Sequence, residues 1–453
     1  MNVLIKNGHI IDPSLRIDGI GDILIEDGKI KEIRIQNIVP PPPHPLPQRE
    51  GESLKIPYPS RGEGKGGGKD SGLRTIDATG LLVVPGLIDM HVHLREPGFE
   101  HKETIKSGTM AAIKSGFTTV CCMPNTFPVN DQASVTEFII RKASQEGYCT
   151  VYPVGAITKG QRGEELAEIG TMRNEGCIAF SDDGRPVMNS LIMRRALEYS
   201  KAFDVPIISH CEDLTLSEDG VINEGIISAT LGLKGIPDEA EQIMIFRDIL
   251  LAELTGGKLH IAHVSTEGSV KLIREAKTKG INVTAETCPH YFSLTEEAVK
   301  GYDTNAKVNP PLRTKRDIEA IKEGLKDGTI DIIVTDHAPH HMDEKLREFD
   351  MAPFGISGFE TALSLSLRLV EEGILSMSQL VKNMTLNPAI ILNIPKGTLR
   401  QDTDADVTII DVNREFKVES EKFVSKGKNT PFEGWLLKGC PVLTICKGKI
   451  YEW

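Results

Sequence analysis

The sequence is short of several things, and each shortage excludes a class of function. No apolar stretch approaches the ~20 residues that a bilayer-spanning helix needs. No long basic run interrupts a 453-residue chain with 52 basic against 64 acidic residues and a formal net charge of −12. That balance argues against nucleic acid and against an anionic membrane surface. None of the eight cysteines belongs to a CxxC pair. In a chain of this size such thiols read as buried side chains, not disulfides. The opening MNVLIKNGHI has neither the apolar core nor the cleavage site of a signal peptide. The expectation is a cytoplasmic protein acting on a small molecule, with no nucleic acid and no membrane as partner.

What is present suffices for a large core. Hydrophobic residues make up 40% of the chain, and its length fits a large barrel plus a second module. Both ends alternate apolar and polar residues around turn signals: NVLIKNGHIID and GDILIEDGKIKEI near the start, ADVTIIDVN and PVLTICKGKIYEW near the end. These read as short antiparallel strands. They predict a small β-sandwich module built from both termini, residues 1–84 and 388–453. A Pro/Gly-rich insert at about 39–72 is too poor in apolar residues to order itself, and a disordered loop is expected there. From residue 81 onward, eight apolar runs alternate with amphipathic segments. The α/β pattern predicts a TIM-type (β/α)8 barrel over 85–387, with its site at the C-terminal strand ends.

Polar residues that end those runs should therefore converge. The first run, LLVVPGLIDM (81–90), reads as one buried strand leading into HVHLREPG. Alternation along a strand puts His91, His93 and Arg95 on one face. Later runs deliver Asn125, then Asp182 with Asp183, then His210, His263, and Asp336 with His337 and His340. Imidazoles beside carboxylates suit zinc, with manganese or iron as alternatives. His260 and His263 are an odd number apart and face opposite ways, so His263 is the ligand candidate and His260 is structural. His9, His44 and His101 lie off the strand ends. His290 is read as a cap and His341 as a solvated side chain. Cys211, directly after His210, reads as a buried thiol, with metal ligation as the alternative.

These residues sit in a series of motifs: HVHLREPG, MPNT, SDDG, SHCED, HVST, TCPHYF, VNPPLR, TDHAPH and FGISGFET. In that order they resemble dihydroorotases of the amidohydrolase superfamily. The likeness is to the bacterial type similar to the dihydroorotase part of the large animal pyrimidine enzyme. The resemblance implies reversible closure of N-carbamoyl-L-aspartate to L-dihydroorotate in de novo pyrimidine (UMP) synthesis, driven by a metal-activated hydroxide. It implies that His91 and His93 hold the more buried metal and His210 and His263 the second. Asp336 would be both a ligand and the proton carrier, general base and then acid. His93, Arg95, Asn125, Asn309 and His340, with the backbone at Phe354 and Gly355, would hold substrate. Many relatives bridge two metals with a carboxylated lysine at the end of the fourth strand. Here CIAFSDDG has no lysine. The subgroup it most resembles uses an aspartate, which falls on Asp183, with Asp182 as runner-up. The implied cofactor is Zn2+, two per chain, bridged by Asp183. The implied partners are aspartate carbamoyltransferase, which catalyses the preceding step, and further copies in a homo-oligomer. Competing readings are another cyclic amidase (allantoinase, hydantoinase or dihydropyrimidinase) and a non-catalytic subunit of aspartate carbamoyltransferase.

Overall fold

The computed structural model describes residues 2–38 and 73–453. The expected disordered insert at 39–72 and His44 lie outside the described residues. Among the described residues no helix is long and apolar enough to cross a membrane.

Two eight-stranded sheets organise the chain. The first joins both termini. From the N-terminal side come β1 (Asn2–Asp12), β2 (Ile17–Glu26), β3 (Lys29–Ile38), β4 (Leu73–Asp77) and β5 (Leu82–Pro85). From the C-terminal side come β16 (Val407–Lys417), β17 (Leu436–Cys446) and β18 (Lys449–Glu452). Alternation places Val3, Ile5, Ile23, Ile25, Val407, Ile409 and Ile445 in a separate apolar core. Strands β1–β2–β3 and β16–β17–β18 are antiparallel, as the alternating segments predict. Strands β4 and β5 differ, because both join β1 in parallel.

The second sheet is the barrel. Its strands are β6 (Leu87–Val92), β7 (Phe117–Cys122), β8 (Thr150–Gly155), β9 (Ala179–Ser181), β10 (Ile207–Ser209), β13 (Leu259–Ile261), β14 (Val283–Thr287) and β15 (Ile332–Ile333). They run parallel in sequence order around the sheet. Most are buried along their whole length, which explains their continuous apolar runs. The ring closes where Val92 bridges His337 and the His93 N–H donates to the His337 carbonyl at 2.8 Å. A two-stranded ribbon, β11 (Ile222–Asn223) with β12 (Gly235–Ile236), sits in the long segment after β10.

The single strand expected over 81–90 is two strands in different sheets. Leu82–Pro85 pairs with β1 and with β16, whereas Leu87–Val92 opens the barrel. Gly86 is the pivot. A Cβ there would lie 2.1 Å from Thr118 Oγ1 and 2.7 Å from Thr118 Cβ, so only glycine lets the two sheets meet this closely. Gly86→Ala is therefore expected to destabilise the chain by about 1–3 kcal/mol through overpacking. A lowered urea midpoint with an unchanged m-value would show it; an unshifted midpoint would mean β7 gives way freely.

Candidate active site

The barrel strands end in a cluster of buried imidazoles and carboxylates. His91 is the penultimate residue of β6 and His93 follows the strand; Asp183, His210, His263 and Asp336 lie just beyond β9, β10, β13 and β15. All six are buried. Asp183 is their common neighbour. Its Oδ1 lies 3.2 Å from His91 Nε2, 3.6 Å from His210 Nδ1 and 3.6 Å from His263 Nε2, and its Oδ2 is 3.5 Å from His93 Nε2. Asp336 Oδ1 lies 3.0 Å from His93 Nε2 and 3.7 Å from His91 Nε2.

The second nitrogen of three imidazoles is held from behind. His91 Nδ1 donates to Glu286 at 2.5 Å, His93 Nδ1 to the Asn125 side-chain oxygen at 2.9 Å, and His210 Nε2 to Glu212 at 3.1 Å. Those bonds fix the tautomers and turn bare nitrogens toward Asp183 and Asp336. His91 Nε2 and His263 Nδ1 have no hydrogen-bond partner, and His210 Nδ1 faces His263 Nε2 at 2.8 Å. Buried lone pairs aimed at one another are costly unless a cation takes them. The charges agree. Burial opposes charge on His91, yet Glu286 and Asp183 outweigh it and hold its pKa well above the ordinary value. Burial also opposes charge on His210, but Asp183 and Glu212 raise it to about 10. Asp183 is held well below its ordinary range because His91, His210 and His263 outweigh its burial. The site wants positive charge. Two donor sets, His91–His93–Asp183 and Asp183–His210–His263, each bring their ligand atoms within 4.8 Å of one another, and imidazole with carboxylate suits a divalent metal.

Not every strand-end candidate is in this cluster. Asp182 turns away, accepting the Ile157 and Thr158 amides at 2.8 and 3.1 Å and the Thr158 hydroxyl. The Cys211 thiol lies 3.4 Å from Ser209 Oγ, outside both donor sets, and burial keeps its pKa well above the ordinary value. The His337 ring stacks on Phe359 with centroids 4.1 Å apart. His260 donates to Glu286 at 3.0 Å, below the cluster. His290 caps nothing: it lies inside the short helix Pro289–Ser293, and neither ring nitrogen has a hydrogen-bond partner. His9 bonds Asp18, while His101 and His341 lie at the surface. Glu286 and Glu212 escaped the sequence reading. A carboxylate inside the apolar run of β14 was the available signal for Glu286. Glu212, next to Cys211 in SHCED, gave none.

The substrate candidates form the rim. Arg95 does not continue the strand, which ends at Val92. Its φ of 62° marks a turn, so the common face with His91 and His93 expected from alternation is replaced by a bend to the same mouth. Its Nε donates to the Pro339 carbonyl at 3.1 Å and one terminal nitrogen lies 3.2 Å from His340 Nε2. Among the described residues no carboxylate lies within ion-pairing distance of it. Burial pushes its pKa down to about 10, which leaves it charged at neutral pH. His340 Nε2 donates to the Phe354 carbonyl at 2.7 Å, and burial holds this imidazole neutral. Asn125 Nδ2 donates to Asp183 at 3.3 Å, and Asn309 donates to Glu212 at 2.9 Å. At Gly355 a Cβ would lie 2.8 Å from the Ala338 carbonyl, so this loop reaches the mouth only as glycine. Asn429, from the C-terminal segment, accepts the His340 amide at 3.0 Å and donates to the Gly355 carbonyl at 2.9 Å.

Comparison with known proteins now adds to this geometry. A family model described as Dihydro-orotase-like matches residues 80–269. A dihydroorotase of Geobacter metallireducens is 55% identical, covering 99% of both chains. One of Acetivibrio thermocellus is 54% identical over 99% of this chain and 98% of its own. Among solved structures, an L-hydantoinase (dihydropyrimidinase) from Arthrobacter aurescens superposes with a TM-score of 0.83 at 26% identity, covering 99% of this chain and 95% of that one.

Two buried lysines hold the Phe354–Gly355 loop. Lys307 Nζ donates to the Phe349 and Asp350 carbonyls, and Lys345 Nζ to those of Pro353 and Gly355. Burial, reinforced by the Lys307 charge, pushes Lys345 from 10.5 down to about 7. A neutral amine still has the two N–H groups these carbonyls need. Below pH 7 the folded state bears the full cost of the buried ammonium. Between about 7 and 10.5 the unfolded chain binds the proton that the folded chain has lost, so stability rises with pH. The slope from this group reaches about 1.4 kcal/mol per pH unit. Urea titrations at pH 7, 8 and 9 should show it in the wild type and lose it in Lys345→Met; parallel profiles would refute it.

Proposed function

The chain belongs to the dihydroorotase family, and from that premise we propose how its barrel mouth works. The reaction is reversible closure of N-carbamoyl-L-aspartate to L-dihydroorotate; in reverse, a cyclic amide is hydrolysed. The observation that carries the residue assignment is Arg95: a half-buried guanidinium, unpaired with any described carboxylate, beside a cluster suited to metal. The substrate supplies the missing carboxylate, which a planar guanidinium fork grips in two places. His93, Asn125, Asn309 and His340, with the backbone at Phe354 and Gly355, complete the pocket.

His91, His93, Asp183, His210, His263 and Asp336 would hold two zinc ions, with Asp183 shared by the two donor sets. A metal held by these residues would supply Lewis acidity, lowering the pKa of a water from 15.7 toward ~7 and polarising the scissile carbonyl. Asp336 takes the proton of the attacking water and returns it to the leaving ring nitrogen. One carboxylate suffices, since the proton is relayed and not lost. His93, 3.0 Å from Asp336 Oδ1, orients it, and the φ of 45° at Asp336 turns it inward from the strand end. Glu286 and Glu212 fix the rings of His91 and His210. The chain acts in pyrimidine synthesis as a homo-oligomer. Aspartate carbamoyltransferase, whose product is the acyclic substrate, is the partner that this chemistry fits.

A hydantoinase reading is weaker: it rests on 26% identity against 55% for a dihydroorotase. Dihydroorotate hydrolysis by the purified chain, with metal content measured on the same sample, tests the proposal. Asp336→Asn should cut kcat by roughly 10²–10⁴-fold, the usual worth of general acid–base catalysis. Arg95→Met should raise KM more than it lowers kcat, losing a charge-assisted bond worth about 1.5–3 kcal/mol. Asp183→Ala should lower the metal content from two per chain. Cleavage of hydantoin or allantoin with dihydroorotate untouched would overturn the substrate; full turnover in Asp336→Asn would overturn the proton carrier.

A further inference from the structure

Residues 425–430, SKGKNT, form a loop between the turn Ser420–Lys422 and β17. Loops usually keep their polar groups in water. This one does not: Ser425, Asn429 and Thr430 are only 0%, 4% and 3% exposed. The loop lies against the barrel mouth. Ser425 donates to Glu103 at 2.6 Å, and the Gly427 carbonyl accepts the Ser357 hydroxyl at 2.8 Å. At Gly427 a Cβ would stand 2.5 Å from Pro339 Cβ, so only glycine lets the loop press this closely. Asn429 makes the most contacts. Its Oδ1 accepts the His340 N–H at 3.0 Å and lies 3.2 Å from the Ser357 hydroxyl. Its Nδ2 donates to the carbonyls of Gly355 at 2.9 Å and Ala338 at 3.3 Å. Its main-chain carbonyl accepts the Ser357 N–H at 2.7 Å. Every one of these partners belongs to one of two barrel loops, 338–340 or 354–357.

We infer that Asn429 is a positioning residue for the substrate. By fixing the two loops against each other, it sets Arg95 and His340 in the geometry that receives the substrate carboxylate. The inference rests on the carboxylate pocket proposed above. The route to Arg95 runs through Pro339. Proline offers no N–H, and the Pro339 carbonyl accepts Arg95 Nε at 3.1 Å. The guanidinium therefore stands where this stretch of chain puts it. Asn429 holds the stretch on both flanks of Pro339, by the Ala338 carbonyl before it and the His340 N–H after it. The same side chain ties down Gly355, beside the Phe354 carbonyl that accepts from His340 Nε2 at 2.7 Å. One amide thus sets the gap that the His340 ring bridges inside the pocket. Asparagine suits this place because a short amide carries donors and an acceptor together; an aspartate would set a further acceptor against two carbonyls. None of the described hydrogen bonds joins the Asn429 side chain to His91, His93, Asp183, His210, His263 or Asp336. Its loss should be felt in substrate affinity and leave the metal donors and the proton carrier in place.

Steady-state hydrolysis of dihydroorotate, with metal content measured on each sample, tests this. Asn429→Ala should raise KM about 10–100-fold, the scale of a small misplacement, with kcat within about threefold of wild type. Metal content should not change. A residue that merely stabilised the fold would lower the urea midpoint and leave the KM of the folded enzyme alone. In an Arg95→Met background the same substitution should lower kcat/KM less than about threefold further, since residues that act through one another are not additive. Gly427→Ala pushes the loop off Pro339 without altering Asn429. It should shift KM the same way, and it carries the test if Asn429→Ala fails to fold. An unchanged KM in the folded variants, or a fall in kcat alone, overturns the positioning role. Losses that multiply with Arg95→Met overturn the route through Arg95. A wild type that leaves dihydroorotate untouched overturns the pocket reading itself, and this role with it.

Discussion

A single buried carboxylate sets the conditions for the rest of the site. Asp183 sits within 3.6 Å of four imidazoles, and it carries its charge only because they surround it. Two further acids stand behind those rings, Glu286 on His91 and Glu212 on His210. With Asp336 the cluster contains more acid than the histidines can neutralise while also lending lone pairs. Asp89 registers the excess. It lies below His91, and burial together with Glu286 raises its pKa to about 7. Such a site is an electrostatic deficit fixed in place by the barrel, of the kind that bound cations offset.

The barrel makes that deficit tolerable because the four carboxylates, Asp183, Glu212, Glu286 and Asp336, come from four different strands. No short segment of chain must hold two like charges together. Three of the residues involved, Arg95, His263 and Asp336, have left-handed φ values of 62°, 33° and 45°. Strain of that kind persists only where the surroundings over-determine it. Here the parallel strands fix the main chain on one side, and the backing carboxylates fix the side chains on the other.

How much of this was legible depended on whether a residue's role was local. His91 and His93 follow from alternation along one strand, and His263 separates from His260 by parity. The barrel followed from the eightfold recurrence of apolar runs. Arg95 reaches the mouth through a turn that strand alternation does not describe. Asp182 and Asp183 are adjacent, and only the end of β9 decides which one turns inward. The Glu286 partnership with His91 spans 195 residues and belongs to the closed ring, not to any segment. The break at Gly86 was hidden because LVVP and LIDMHV adjoin as one largely apolar run, and both are buried along their whole length.

The sheet that joins the termini also constrains synthesis. Strand β5 pairs with β1 on one side and with β16 on the other. Its second neighbour begins at Val407, so more than three hundred residues must leave the ribosome before that edge is covered. At 5–20 residues per second the wait is roughly 15–60 s. Through that interval the nascent chain displays an unpaired apolar edge, LVVP, of the kind that invites strand addition by a neighbour. A stop anywhere in the barrel would therefore leave more than a truncated enzyme. It would leave an adhesive one, and the C-terminal strands act, in effect, as the chain's own last chaperone.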